Sequence, residues 1–120
     1  MLLKQWITNV ASEEQKRVGE LSFIFCSDDY LLDINRRFLN HDYYTDVITF
    51  DYSENNRIGG DIFISIDTVR VNAEEYRQTF ESELFRVMVH GVLHLCEYGD
   101  HSDEEKRLMR EKEDYYLAKL

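Results

Sequence analysis

The chain has 120 residues, which fits one domain with a hydrophobic core of its own. Hydrophobic residues make up 43% of it and charged residues 32%, as in an ordinary globular protein, and no apolar run is long enough to cross a bilayer, so no membrane partner is expected. The formal net charge of −10 argues against sequence-independent binding along a phosphate backbone, and DNA is not an expected partner. A nucleic-acid ligand would have to be recognised locally.

Two features of the sequence predict a cytoplasmic location. The N-terminal stretch reads as an amphipathic helix and lacks the basic segment and apolar core of a secretory signal. Cys26 and Cys96 are far apart and form no CxxC pair. A small secreted domain usually carries more cysteines at framework spacing, so we interpret both as buried thiols in a reducing compartment.

The first quarter of the chain predicts a helix, a strand and a second helix. Apolar residues recur at helical spacing over residues 2–18, and Gly19 is expected to end that helix. Residues 21–26 are rich in Phe and Ile and predict a strand. Ser27 is a good N-cap for a helix that runs to about Leu39, after which the chain enters a polar loop.

The remainder predicts a hairpin followed by three helices. Strands over residues 47–52 and 61–65 flank a turn over 53–60 that contains Asn and Gly pairs, so the two strands should pair with each other. Ser102, with Glu105 three residues later, has the spacing of a capping box. The three helices are predicted over residues 67–79, 81–96 and 102–120.

These elements predict an α/β (α+β) fold, a single domain over residues 1–120 with a small mixed β-sheet covered by helices. The first predicted element is a helix, and three strands are few for such a sheet. We therefore leave open whether the sequence lacks a further N-terminal strand.

The most informative residues are two histidines at the end of the fourth predicted helix. His90 and His94 are four residues apart, so on a helix they lie on one face and can direct their imidazoles at a common point. Neutral imidazole suits zinc and similar ions. A third ligand would come from the segment 98–101, where Gly99 can turn the chain back by adopting a positive φ. The sequence thus predicts a metal site at the C-terminal end of a buried helix.

The rest of this helix supports that interpretation. Apolar residues occupy most of the surface of this helix and leave one narrow polar stripe. A polar stripe on an otherwise buried helix suggests that the stripe lines a cleft. Three of the four histidines in the chain fall within twelve residues. The alternative, that these are ordinary histidines of a polar helix face, also fits an i, i+4 pair. The polar stripe consists of Glu83, Arg86, His90, His94 and Glu97.

The motif differs from that of metalloproteases. In HExxH the glutamate after the first histidine acts as the general base, and here that position is Gly91. The difference disfavours a peptidase. It leaves activation of water, or polarisation of a phosphoryl oxygen, as the expected chemistry.

Three blocks of the sequence resemble the YbeY family, bacterial endoribonucleases of rRNA maturation. Residues 34–38 with 45–50 resemble the family's LN…TDVLSF, residues 60–65 resemble GDIxIS, and residues 90–95 resemble HGxLHL. The blocks occur in the family's order with similar gaps. The resemblance implies a single α/β domain, one zinc ion (or nickel or another divalent metal) on three ligands, and single-strand endoribonuclease activity. It also implies action on rRNA of the small ribosomal subunit, as a partner in its maturation and in ribosome quality control.

The sequence departs from the family at the third ligand. The family reads HGxLHLxGYDH, with its third histidine six residues past the second, and here that place is Asp100, with His101 one residue further. An ungapped match makes Asp100 the ligand, and a slip of one residue makes it His101. Carboxylates also bind zinc, so we favour Asp100. Glu97 stands where the family has a glycine.

A second departure concerns the residue that meets RNA phosphate. The resemblance places an arginine after the aromatic of the first block, and here that position is Leu39. Arg37, His41 or Arg86 could replace it. We favour Arg86 as a catalytic residue because it lies one turn before His90 on the polar stripe, although it could instead form a surface salt bridge to Glu83.

Three acidic residues complete the candidate site. Glu97 is the candidate general base. Asp46 and Asp61 lie at predicted strand starts and could each orient a histidine ligand, or serve only as strand-end residues.

Besides the endoribonuclease, two other functions fit the sequence: a metallohydrolase of another substrate such as a peptide, and a non-catalytic ribosome-associated factor with a structural metal.

Overall fold

The computed structural model describes residues 2–120, in which five helices surround a three-stranded sheet. This confirms the predicted α+β class. Within those residues no helix is both long enough and apolar enough to cross a membrane. The elements in chain order are α1 (Leu2–Glu13), β1 (Arg17–Cys26), α2 (Asp28–Leu39), β2 (Val47–Asp51), β3 (Arg57–Ser65), α3 (Ile66–Glu75), α4 (Phe80–Leu95) and α5 (Asp103–Leu117).

The sheet is mixed and has β3 at its centre. The strand order is β1-β3-β2, with β1 parallel and β2 antiparallel to β3. The antiparallel pair is the hairpin that the sequence predicted. Side chains alternate between the two faces of a strand, so Ile58, Ile62 and Ile64 of β3 share one buried face. That face packs against α4.

Strand pairing moves two boundaries from their predicted places. Helix α1 ends at Glu13, not at residue 18, because Arg17 and Val18 pair with β3, so that Gly19 lies inside β1. In the same way Gly60 was expected in the turn, but it pairs with Asp51 and belongs to β3. In both places the backbone hydrogen bonds of the sheet outweigh the local preference of glycine for turns.

The central helix α4 is held close to the sheet by a residue without a side chain. A Cβ at Gly91 would lie 2.9 Å from Cγ2 of Ile62, which is fully buried. Val89, Val92 and Leu93 complete a helix that is covered on most of its surface. This packing explains why position 91 carries no general base: a side chain there would enter the sheet interface rather than the cleft.

Helix α5 closes the domain on the other side of α4. Ser102 and Glu105 form the predicted capping box at its start. At its far end the indole of Trp6 in α1 donates a hydrogen bond to the carbonyl of Tyr116 over 2.8 Å. Helix α5 therefore lies beside the polar stripe of α4 and can bring its own side chains to the histidines.

Candidate metal centre

The two histidines of α4 converge, as helical spacing allows. The ring centroids of His90 and His94 lie 4.5 Å apart, and their Nε2 atoms are separated by 3.0 Å. Both rings are half-buried at the floor of a cleft beside β2. The two side chains thus present one nitrogen each to the same point.

The other nitrogen of each ring has an acceptor as its partner. Nδ1 of His90 donates to Oε2 of Glu113 over 2.7 Å, and Nδ1 of His94 donates to the carbonyl of Tyr98 over 2.8 Å. Carboxylates and carbonyls only accept hydrogen bonds, so in the neutral rings the proton resides on Nδ1. The Nε2 lone pairs then face each other without a hydrogen between them, an arrangement that suits a cation.

Asp100 supplies the third acceptor atom. Its Oδ2 lies 3.5 Å from Nε2 of His90 and 3.5 Å from Nε2 of His94. The ligand atoms of these three residues lie within 4.8 Å of one another, so the group could hold a metal ion. Two imidazole nitrogens and one carboxylate oxygen form a donor set that zinc accepts, with a position left for water or substrate. The residues present therefore fit the implied metal.

His101, the alternative third ligand, lies on the same cleft but outside this group of three. It is exposed, and its backbone N–H donates to Oε1 of Glu105 over 3.0 Å. The capping box of α5 thus fixes the backbone of His101 while Asp100 faces the histidines.

The turn between α4 and α5 is built differently from the expectation. The positive φ, 77°, belongs to Glu97 rather than to Gly99. A Cβ at Gly99 would lie 2.6 Å from Oε2 of Glu105, so a side chain there would have to displace the carboxylate that caps α5. The turn directs the carbonyl of Tyr98 to His94 and the carboxylate of Asp100 to the cluster.

Glu113 is a site residue that the sequence analysis missed. Its carboxylate is buried, and it accepts from His90 with one oxygen and from Nη1 of Arg86, at 2.8 Å, with the other. Burial alone lowers the pKa of His90, but the hydrogen bond and negative charge of Glu113 outweigh it and raise that pKa overall. A signal was present: Met109 and Tyr116 form the apolar stripe of α5, and Glu113 falls between them at i+4.

The structure does not bring Arg86 or Glu97 into the cleft. The guanidinium of Arg86 is held by Glu113 and by Asp114, whose Oδ1 lies 2.6 Å from Nη2, and not by Glu83. Glu97 is exposed, has a left-handed backbone conformation and pairs with Lys16 at 3.2 Å. Neither side chain lines the cleft as the sequence analysis expected.

The two candidate orienting aspartates lie in different places. Asp46 lines the cleft, and burial raises the pKa of its carboxyl despite the opposing charge of His90. Asp61 is the fifth residue of β3 rather than its first. Gly60 and Ile62 lie on the face of the sheet that packs against α4, so the side chain of Asp61 projects from the other face. Asp61 therefore does not approach the histidines.

The cysteines differ in burial. Cys96 is buried at the end of α4, where burial raises the pKa of its thiol to about 11, as expected for a core residue. Cys26 is half-buried rather than buried, and its Sγ lies 3.5 Å from the carbonyl of Ile64. Both are free thiols.

The fold and the cluster define a class of protein: a small α+β domain in which two histidines of a buried helix and a carboxylate of the turn after it form a group that could hold a metal ion, on the lining of a cleft. The family model described as Endoribonuclease YbeY matches residues 1–120. The chain belongs to the YbeY endoribonuclease family.

Curated relatives and a solved structure agree with this assignment. "Endoribonuclease YbeY" of Bacteroides thetaiotaomicron is 51% identical over 114 residues, which cover 95% of this chain and 83% of that protein. The protein of the same name from Flavobacterium psychrophilum is 56% identical over 112 residues, 93% of this chain and 80% of the relative. The solution structure of TM1509 from Thermotoga maritima is 33% identical, with a TM-score of 0.68, and the match covers 96% of this chain and 76% of that one.

Proposed function

We propose that this protein is a metal-dependent endoribonuclease that cuts single-stranded RNA. Its substrate would be rRNA of the small ribosomal subunit, in maturation and in ribosome quality control, and it would act in the bacterial cytoplasm. One observation carries the metal dependence: three acceptor atoms, Nε2 of His90, Nε2 of His94 and Oδ2 of Asp100, converge in a protein of an endoribonuclease family.

The metal would be held by His90, His94 and Asp100. When bound, a zinc-like ion supplies positive charge that polarises a phosphoryl oxygen and activates water. Glu113 and the carbonyl of Tyr98 hold the two imidazoles in the tautomer that leaves Nε2 free. Asp46 lines the same cleft, where burial raises the pKa of its carboxyl, and it would be the candidate proton acceptor.

A cleavage assay tests the proposal. The full chain is measured for metal content and then incubated with a single-stranded rRNA fragment, its duplex and a peptide mixture, each with zinc, with nickel and with chelator. We expect cuts in the single strand alone, their loss in chelator, and their loss in His94→Gln. Peptide cleavage, or RNA cleavage that persists in His94→Gln and in chelator, would contradict the proposal.

One observation favours a second candidate, a non-catalytic ribosome-associated factor with a structural metal. Leu39 lies on the cleft, and none of the lysines or arginines among residues 2–120 lines it. If the protein is such a factor, metal should raise its melting temperature, but no RNA should be cut in the presence of any of the metals. The peptidase alternative is disfavoured because the packing of Gly91 on Ile62 leaves no room for the HExxH glutamate.

A further inference from the structure

Two aromatic side chains form one unit at the rim of the cleft that holds the histidines. The rings of His41 and Tyr43 stack with centroids 5.2 Å apart and planes 23° apart. The hydroxyl of Tyr43 is also hydrogen-bonded to Nδ1 of His41 over 3.0 Å. Both side chains line the same cleft as His90, His94 and Asp100, on a loop between α2 and β2.

This loop is held by a buried amide. Asn35 is 2% exposed, and its Nδ2 donates to the carbonyl of Tyr43 over 2.9 Å. Its backbone carbonyl accepts from the N–H of His41 over 3.1 Å. One buried residue thus fixes the backbone at both aromatic positions, while the Tyr43 side chain remains 55% exposed. An exposed ring on a fixed backbone is already placed to receive a flat ligand, with little ordering entropy to lose.

The charges of the cleft disfavour binding through phosphates. Its lining includes the carboxylates of Asp46, Asp51 and Asp100, and no arginine or lysine of the described chain lines it. The arginines of α2 do not supply free charge: Arg36 pairs with Asp42 at 2.5 Å and Arg37 with Asp33 at 3.1 Å. Affinity for RNA in this cleft therefore has to come from the bases and from a bound metal, rather than from release of counterions.

We propose that Tyr43, backed by His41, is a stacking platform for an unpaired RNA base bound in the metal cleft. This inference rests on the proposed function, which supplies RNA as the ligand. A base must leave its helix to expose a face to the ring, so the platform selects single strands over duplexes. Stacking on one ring is tolerant of base identity, and the platform sets strandedness rather than sequence.

The test measures binding separately from cleavage. Anisotropy of a short fluorescein-labelled single-stranded RNA is recorded in chelator, so that the RNA stays intact, for wild type, Tyr43→Ala and Tyr43→Phe. Tyr30→Ala is the matched control, since Tyr30 is 53% exposed but lies off the cleft. We expect Kd to rise about fivefold or more in Tyr43→Ala and to stay near wild type in Tyr43→Phe and Tyr30→Ala. Zinc content and melting temperature should be unchanged in Tyr43→Ala.

Salt dependence gives an independent readout. Few phosphate contacts predict a shallow slope of log Kd against log salt, of magnitude about 1 or less. Equal Kd values for wild type and Tyr43→Ala, or a steep salt slope that Tyr43→Ala leaves unchanged, would overturn the platform. Cleavage by the metal-loaded wild type then tests the proposed function separately. If RNA binds through Tyr43 but is never cut, the result supports the stacking platform and contradicts the proposed endoribonuclease activity.

Discussion

Glu113 joins His90 to Arg86 through the two oxygens of one buried carboxylate. Oε2 accepts from Nδ1 of His90 at 2.7 Å and Oε1 accepts from Nη1 of Arg86 at 2.8 Å. The arginine therefore neutralises a carboxylate that would otherwise be buried unpaired, and the carboxylate orients the imidazole. Arg86 is thus connected to the site only through Glu113, a residue of α5.

We predict that Glu113→Gln weakens zinc binding by roughly ten- to a hundredfold, because the neutral amide orients the imidazole of His90 less firmly and makes it a weaker base. Zinc affinity is measured by competition with a chromophoric chelator. Asp114→Asn is the matched control, since Asp114 also binds Arg86 but is more exposed and does not contact His90. Equal zinc affinity in Glu113→Gln and Asp114→Asn would contradict the role of Glu113.

The third ligand can be decided by a pair of neighbouring substitutions. Asp100→Asn should lose most of the zinc affinity, because the neutral amide is a far poorer ligand than a carboxylate. His101→Asn should retain the affinity, because His101 lies outside the converging group. Titration calorimetry with zinc distinguishes the two, and the reverse order of affinities would assign the site to His101.

Glu97 carries backbone strain that glycine would relieve. A left-handed conformation costs a residue with a Cβ about 1–2 kcal/mol, whereas an exposed ion pair such as that with Lys16 contributes at most about 1 kcal/mol. Glu97→Gly should therefore raise the free energy of unfolding by roughly 0.5–1 kcal/mol in urea denaturation.

Glu97→Ala serves as the control for that prediction, since it removes the ion pair and keeps the strain, so it should give no gain. The same two variants test the expectation that Glu97 is a general base. Since Glu97 does not line the cleft, RNA cleavage and its pH profile should stay unchanged in both. A loss of cleavage in both would restore Glu97 to the catalytic machinery.

Glu14, in the turn after α1, contacts α5 and the turn that precedes α5, and it should make the stability of the protein depend on pH. Its carboxylate accepts from the hydroxyls of Tyr116 and Tyr98 and from Nζ of Lys112. Burial raises the pKa of Glu14, but the two hydroxyls and the nearby ammonium outweigh it and lower that pKa overall. A carboxyl with a pKa lower in the folded than in the unfolded state stabilises the protein above the unfolded pKa, and this contribution is lost as pH falls through the folded pKa.

The corresponding variant is Glu14→Gln, which should lower the free energy of unfolding by roughly 1.5 kcal/mol at neutral pH. The difference from wild type should shrink as pH falls below the ordinary pKa of a glutamate, about 4.3, and through the lower pKa that Glu14 has in the folded protein. Urea denaturation across pH measures both. Glu13→Gln, at the more exposed neighbour, is the control. A difference that stays constant with pH would show that the charge of Glu14 is not what stabilises the protein.

The sequence determined those features that depend on local spacing. Helical periodicity places His90 and His94 on one face of a buried helix, and the serine and glutamate spacing at Ser102 predicts the start of α5, as found. The strand pattern predicts the antiparallel hairpin, also as found. These features need only the dihedral preferences of neighbouring residues and the side to which their side chains point.

The tertiary structure decided which distant residues meet. Glu113 is one of many acidic residues in α5, and only the packing of that helix on α4 brings it to His90. Asp61 would face the site only if the register of β3 were shifted by one residue, because such a shift moves each side chain to the other face of the sheet. The ends of α1 and β3 were misplaced because strand pairing across the chain overrode glycine's local preference. Such outcomes depend on packing and hydrogen bonding between elements, which single-residue propensities do not contain.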